Sequence, residues 1–216
     1  MNKIVCIREV GLRDGLQLIR SQLTTETKVE WISQQVESGF REMEVTSFVP
    51  AHILPQFFDA TEVLSMASSL YGLCPSVLVP NLTGGKLALG AGAKKVNFVI
   101  SVSESHNQAN VRCTTEKSFQ MLEELIRESK EEQNVSIAGA LSTSFGCSIE
   151  GDVEQNKVIR FAERMTRLGV QEINLADTVG YADPLSVKNI FTDIQSAVGD
   201  IPLAAHFHDT KGLGLA

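Results

Sequence analysis

The segment "EVGLRDGLQ", residues 9–17, follows the first of several short apolar runs and decides between two α/β folds. An open, doubly wound sheet that binds a nucleotide carries a glycine-rich loop, G-x-G-x-x-G or a phosphate-binding loop, at this first turn. The segment has neither pattern and instead places Arg13 and Asp14 before Gly15. The first turn therefore disfavours a nucleotide-binding open sheet.

Outward from this turn, apolar runs alternate with segments of helical periodicity. The stretches "TTETKVEWISQQVESG", "TTEKSFQMLEELIRESKEE" and "EQNKVIRFAERMTRLG" space their apolar residues as amphipathic helices do. Strands that alternate with helices predict a parallel sheet. Seven strands are predicted, over residues 4–10, 42–48, 75–80, 96–102, 136–143, 172–176 and 203–207.

Polar side chains cluster where these predicted strands end. In a (β/α)8 (TIM) barrel, catalytic residues come from the C-terminal ends of several strands and meet at one mouth. The distribution therefore favours a barrel over an open sheet, and we predict one barrel domain over residues 1–216. The clusters are residues 13–14, 44–47, 103–104, 142–144, 177–178 and 206–209.

Composition excludes several classes of protein. The chain has 216 residues and a net charge of −7, with no basic stripe, so it is not expected to bind nucleic acid. No apolar run is long enough to cross a membrane, and the N-terminus does not resemble a signal peptide. The four cysteines are scattered without a C-x-x-C pair, which favours a reduced, cytoplasmic setting. We expect Cys6 and Cys74 to be core thiols.

Two histidines stand two positions apart in the last predicted strand. Side chains at i and i+2 of a strand point to the same side, so His206 and His208 can approach one ligand together. They either bind a metal or satisfy hydrogen bonds in the core. If they bind a metal, a carboxylate would complete a facial set of ligands, and Asp14 is the natural third member.

Arg13 and Asp14 would point to opposite sides of a regular strand, and Gly15 would let the backbone turn so that both face the mouth. They form either a surface ion pair or a site in which Arg13 offers a rigid cationic fork to a developing enolate. Glu44 lies inside an apolar strand, where a carboxylate needs a partner. It either orients Arg13 or takes part in acid–base chemistry. Asp177, like Glu44, either supports the site or takes part in acid–base chemistry, or else it caps the next helix. His106 lies in a predicted loop and could contact substrate.

Several motifs carry a resemblance to a known family. "EVGLRDGLQ", "EVTSFV", "VPNLTG", "SFGCSIEG", "INLADTVG" and "HFHDTKG" resemble, in order and spacing, the 3-hydroxy-3-methylglutaryl-CoA (HMG-CoA) lyases. These enzymes belong to a wider group of metal-dependent (β/α)8 lyases and synthases that open with R-D-G. Related synthases usually show H-x-H-N-D where this sequence shows H-x-H-D-T. "SESHNQANV", in contrast, is more similar to the synthases.

The resemblance implies a divalent cation, Mg²⁺ or Mn²⁺, bound by Asp14, His206 and His208. It implies that Arg13 stabilises the enolate, that Glu44 supports the site, and that an acyl-CoA is cleaved to acetyl-CoA and acetoacetate. We expect Ser47, Asn174 and Asp177 to contact substrate together with Arg13. The alternatives are a Claisen-type synthase or aldolase of the same group, and a catalytically silent barrel. A homodimer is compatible with the family.

The family pattern extends beyond residue 216. Its eighth strand, its glycine-rich loop with a preceding cysteine, and an asparagine that serves as a fourth metal ligand have no counterpart in this sequence. A barrel without its last strand leaves two strand edges exposed to pairing with other chains. We therefore expect residues 1–216 alone to associate and to be inactive.

Overall fold

The computed structural model describes residues 5–132 and 134–216. Within these residues, one compact unit comprises 5–97 with 132 and 134–135, and a second comprises 98–131 and 136–216. Each unit is built from parallel strands, in which the chain returns through a helix, as the alternating sequence pattern predicts.

The first unit contains strands β1 (Arg8–Glu9), β2 (Glu42–Ser47) and β3 (Cys74–Val79). Parallel pairing places Arg8 opposite Glu42 and continues from β2 to β3, with a register shift between Glu44 and Thr46. The helices are α1 (Thr25–Glu37), α2 (Ala60–Ser68) and α3 (Leu82–Gly90). The unit buries apolar side chains from both strands and helices, among them Leu12, Ile32, Met43, Leu64 and Val77.

Strand β4 (Lys95–Ser101) has its first residues in the first unit and its last residues in the second. The second unit also contains β5 (Ser136–Ser142), β6 (Glu172–Asp177) and β7 (Leu203–Phe207), which pair in parallel from β5 to β7. Its helices are α4 (Glu104–Val111), α5 (Thr115–Ser129), α6 (Gln155–Leu168) and α7 (Pro184–Val198). Its core includes Phe98, Phe119, Leu122, Ile137 and Met165.

Helix boundaries follow the sequence signals. Thr24 caps α1, accepting a hydrogen bond from the backbone N–H of Thr27 at 3.3 Å. Three links from a helix to the next strand begin with a glycine of positive φ: Gly39 at 104°, Gly92 at 87° and Gly169 at 101°. Because L side chains rarely adopt this backbone conformation, these glycines stop the helices and turn the chain into β2, β4 and β6.

Three expectations about secondary structure and burial differ from the structure. Strand β1 is only two residues long, while Ile4, at the start of the predicted strand, lies outside the described residues. His106 lies in α4 and not in a loop, because Ser103 caps a helix that begins directly after it. Cys6 and Cys74 are exposed: Cys6 precedes β1, and Cys74 is the first residue of β3, where the strand is still at the surface.

Among the residues that the structure describes, no helix is both long and apolar enough to cross a bilayer.

Candidate active site

The chain turns directly after β1 through a short π-helix, Gly11–Gly15. The backbone N–H of Gly11 donates to Glu9 Oε1 at 2.6 Å, and a Cβ at Gly11 would lie 2.7 Å from that oxygen and 3.2 Å from the Trp31 ring. The predicted turn is present and ends at Gly15, but Gly15 has open space around it and no positive φ, so the turn does not depend on a glycine at this position. Gly11 is the residue whose missing side chain permits the close approach.

The turn brings Arg13 to Glu44. Arg13 is 8% exposed and Glu44 is 1% exposed, and the Arg13 Nε donates a hydrogen bond to Glu44 Oε1. The other Glu44 oxygen accepts from Asn97 Nδ2 at 2.9 Å. Both oxygens of this buried carboxylate are therefore engaged, as a buried charge requires. Of the two alternatives for Glu44, this geometry favours orientation of Arg13.

Arg13 also contacts its neighbour in sequence. Its Nη1 donates to Asp14 Oδ1 at 2.7 Å, and Asp14 is half-buried. The π-helix thus places Arg13 and Asp14 side by side, which a regular strand would not do. The guanidinium is held between two carboxylates, one buried and one partly open to solvent.

The second unit positions the histidine pair. His206 lies in β7 opposite Ala176, and His208 follows the strand. Both are half-buried, and their ring centroids are 5.2 Å apart at 63°. The prediction that they share one side of the chain is confirmed. Two imidazoles at this separation can present nitrogen atoms to one ligand.

Asp177, at the end of β6, has a role that the sequence did not reveal. It is 2% exposed, and its two carboxylate oxygens accept from the backbone N–H groups of Tyr181 and Ala182, each at 2.9 Å. The N-cap of α7 is Asp183, so the interpretation of Asp177 as the helix cap is wrong. Asp177 instead fixes the loop between β6 and α7.

That loop packs closely against the segment after the histidines. A Cβ at Gly180 would lie 2.3 Å from Thr210 Oγ1 and 2.9 Å from the carbonyl oxygen of His208. Lys211 Nζ donates to the carbonyl oxygen of Tyr181 at 2.8 Å. The backbone that carries His208 is therefore held by the loop that Asp177 anchors.

The other predicted substrate contacts are buried. Ser47 is 0% exposed and its Oγ donates to the carbonyl oxygen of Leu78 at 3.1 Å, so its hydroxyl links two strands. Asn174 is 5% exposed and lies in β6 opposite Ala140 and Ala204. Sequence reasoning missed Asn97, which fixes Glu44. An amide inside the apolar run "KVNFVIS" was the available signal.

Comparison with known proteins identifies relatives along almost the whole chain. Residues 4–216 match the HMGL-like family model. The mitochondrial hydroxymethylglutaryl-CoA lyase of Arabidopsis thaliana is 39% identical over 99% of this chain. The hydroxymethylglutaryl-CoA lyase YngG of Bacillus subtilis is 36% identical over 99% of it. The predicted resemblance to HMG-CoA lyases is confirmed.

A solved HMG-CoA lyase from Acinetobacter baumannii, in complex with coenzyme A and 3-methylmalate, matches 98% of this chain with a TM-score of 0.92 at 34% identity. This match confirms the predicted barrel class with about seven strands. The single domain over residues 1–216 stays a prediction. This chain spans 46% of the Arabidopsis protein, 71% of the B. subtilis protein and 68% of the solved structure.

Proposed function

The chain belongs to the HMGL-like family, and from that membership we propose that it acts as a divalent-metal-dependent carbon–carbon lyase. Its substrate is HMG-CoA or a similar β-hydroxy acyl-CoA, and its products from HMG-CoA are acetyl-CoA and acetoacetate. The observation that carries the proposal is the similarity to HMG-CoA lyases along 99% of the chain, through both the Arg13 segment and the histidine segment.

Arg13 has the central role in this reaction. A base removes the proton of the substrate hydroxyl, the Cα–Cβ bond breaks, and its electron pair passes to the acetyl-CoA enolate. Protonation of that enolate then gives acetyl-CoA. The Arg13 guanidinium donates hydrogen bonds to the enolate oxygen where negative charge develops, which lowers the barrier. Glu44 is a positioning residue, because its hydrogen bonds with Arg13 and Asn97 fix the direction of that fork.

The donor set suits a divalent cation. His206 and His208 supply imidazole nitrogens at the end of β7. Asp14 follows Arg13 in the sequence, accepts a hydrogen bond from its guanidinium, and supplies a carboxylate oxygen. Such a set of two imidazoles and one carboxylate leaves coordination positions open for substrate oxygens. Mg²⁺ or Mn²⁺ bound by these residues would act as a Lewis acid and as a template for the substrate.

Substrate contacts follow from the same assignment. We assign Arg13, Asn174 and Asp177 to the substrate side of the site, with Asp177 acting through the loop that it anchors. Ser47 contributes through the linkage between β2 and β3. The acyl-CoA is the proposed partner, the proposed location is the cytoplasm, and the proposed assembly is a homodimer, which light scattering of the purified protein would test.

One observation favours a second candidate. The segment "SESHNQANV" is more similar to the synthases, which condense acetyl-CoA with a 2-ketoacid. A product assay separates the two functions: the protein as its gene encodes it is incubated with Mg²⁺ and HMG-CoA, or with acetyl-CoA and a set of 2-ketoacids. We expect acetyl-CoA and acetoacetate to form from HMG-CoA. Release of free coenzyme A only in the condensation mixture would reject the lyase.

A further inference from the structure

Three polar side chains form a hydrogen-bonded row at the C-terminal ends of β4 and β5. Ser142 Oγ donates to Ser101 Oγ at 2.8 Å, and Ser101 Oγ lies 2.7 Å from His106 Nδ1. Ser101 is 1% exposed and Ser142 is 8% exposed, whereas His106 is half-buried at the start of α4. The row therefore runs from the buried strand ends towards a ring that solvent can reach.

The row favours one tautomer of the His106 imidazole. A serine hydroxyl has one proton to donate, and the oxygen of Ser101 already accepts the proton of Ser142. The Ser101 proton is therefore available for Nδ1 of His106 at 2.7 Å, and with Nδ1 as the acceptor the ring hydrogen lies on Nε2, which is the tautomer that we assign. Burial lowers the pKa of His106, against the opposing effect of the Glu150 charge, so the neutral ring is favoured at pH 7.

Side-chain hydrogen bonds also hold the backbone of His106 and Ser101. The backbone N–H of His106 donates to Ser103 Oγ at 3.1 Å, and Asn107 Oδ1 accepts from the backbone N–H of Ser101 at 3.0 Å. Asn107 is 1% exposed and also donates to the Ser118 hydroxyl at 2.9 Å. The imidazole is held at Nδ1 by Ser101 and its backbone is held by Ser103, so the direction of its Nε2–H is set before a ligand binds.

In α/β folds, ligands bind beyond the C-terminal ends of the strands. We propose that His106 is a specificity-determining residue that donates its Nε2 hydrogen to a carbonyl or carboxylate oxygen in the acyl part of the substrate. Ser101 and Ser142 are positioning residues that set the tautomer. This inference rests on the proposed function for the identity of the substrate, although the geometry of the row is independent of it.

The tautomer and the contact can be measured without turnover. Histidine ¹⁵N shifts of the protein as its gene encodes it, assigned with a His106→Gln variant, report which ring nitrogen carries the hydrogen. We expect a neutral Nε2–H ring at pH 7 and a changed ring signal in Ser101→Ala. We also expect the Nε2 signal to shift when HMG-CoA is added. A ring protonated on Nδ1, or an Nε2 signal that saturating HMG-CoA leaves in place, would overturn the proposal.

Kinetics supply the second readout. His106→Phe removes the donor and keeps a ring, while His106→Gln keeps an amide N–H near the position of Nε2. Because a hydrogen bond of this kind changes binding about 3- to 10-fold, we expect KM to rise by that factor in His106→Phe with kcat nearly unchanged, and to recover in His106→Gln. The matched control is His52→Phe, an exposed histidine, which should leave KM unchanged.

The outcomes separate this inference from the proposed function. A shift of Nε2 on adding HMG-CoA, without cleavage, supports the contact and rejects the lyase. Cleavage with the same KM in wild type and His106→Phe supports the lyase and rejects the contact.

Discussion

Strand β2 carries two carboxylates on one face, Glu42 and Glu44, and the two are held in different ways. Glu42 is half-buried and accepts from Arg8 Nη2 at 2.9 Å and from Lys95 Nζ at 3.0 Å. Two residues further along, Glu44 is 1% exposed and is held by Arg13 and by the amide of Asn97. We call Glu42 with Arg8 and Lys95 the outer layer, and Glu44 with Arg13 and Asn97 the buried layer. The residue of β4 that contacts the carboxylate is a cation, Lys95, in the outer layer and a neutral amide, Asn97, in the buried layer.

The difference separates stabilisation from positioning. The Glu42 side chain is 27% exposed and pairs with the side chains of Arg8 and Lys95, which are 16% and 13% exposed, so solvent reaches these pairs and weakens them relative to a fully buried pair. Glu44 lies where an unpaired charge is costly, and its second partner is neutral. The buried layer therefore gives Arg13 a defined direction, and the outer layer serves the fold.

The largest effect expected is on stability when Glu44 is removed. Among the described residues, Glu44→Ala leaves the buried Arg13 guanidinium with Asp14 as its ion-pair partner, and we expect a loss of about 3 kcal/mol in the free energy of unfolding. Glu42→Ala is the matched control and should cost about 1 kcal/mol or less. Urea unfolding of both variants measures the two values. Equal losses would break the comparison between the two layers.

Sequence reasoning reached much of this site because its signals are local. Amphipathic spacing and short apolar runs depend on neighbouring residues, and the helices α1, α5 and α6 lie where this spacing predicts them. The pairing of Arg13 with Glu44 was foreseen as one of two alternatives, because a buried carboxylate needs a partner.

Two kinds of feature escaped prediction: a contact between distant parts of the chain, and local patterns that fit more than one structure. Asn97 reaches Glu44 across 53 positions, and no local pattern marks such a contact. The Asp177 contacts are local instead, to the backbone of Tyr181 and Ala182, but the sequence does not distinguish an aspartate that holds a loop from one that caps a helix. The Gly11–Gly15 π-helix was missed because a short strand and a turn produce the same sequence pattern.

The second prediction concerns Arg13 itself. Arg13→Lys keeps the positive charge but loses the planar fork that Glu44 orients, and a lysine cannot donate in the same fixed directions. We expect kcat for HMG-CoA cleavage to fall about 10²- to 10³-fold, the cost of losing one donor to a developing oxyanion, with a much smaller change in KM. Steady-state kinetics measure both. An effect confined to KM would make Arg13 a substrate anchor and remove the reason for the buried layer.

The third prediction sharpens the comparison by turning to β7, where burial is lower. The residues of β7 are half-buried or exposed, and so is His208, which follows the strand. A double His206→Ala, His208→Ala variant should therefore lose less than about 1 kcal/mol in the free energy of unfolding when no metal is bound. The same variant should lose its bound divalent cation, because two of the proposed ligands are gone. Elemental analysis and Mn²⁺ titration measure the stoichiometry. Glu44→Ala, in contrast, should retain the metal, and unchanged stoichiometry in the double histidine variant would reject the ligand assignment.

The smallest effect expected is the pH dependence of the outer layer. Burial raises the pKa of Glu42, but the hydrogen bonds and charges of Lys95 and Arg8 together outweigh it, so the pKa lies below its ordinary value. A carboxyl with a lowered folded-state pKa stabilises the protein above its unfolded pKa, about 4.3 for glutamate, and this contribution disappears as the pH falls through the folded value. Glu42→Gln should therefore be less stable than wild type at pH 7, and the difference should shrink as the pH falls below about 4. Thermal melts of the two proteins between neutral and acid pH measure it. A difference that stays constant over this range would mean that the charge of Glu42 does not contribute, and that the outer layer acts through packing alone.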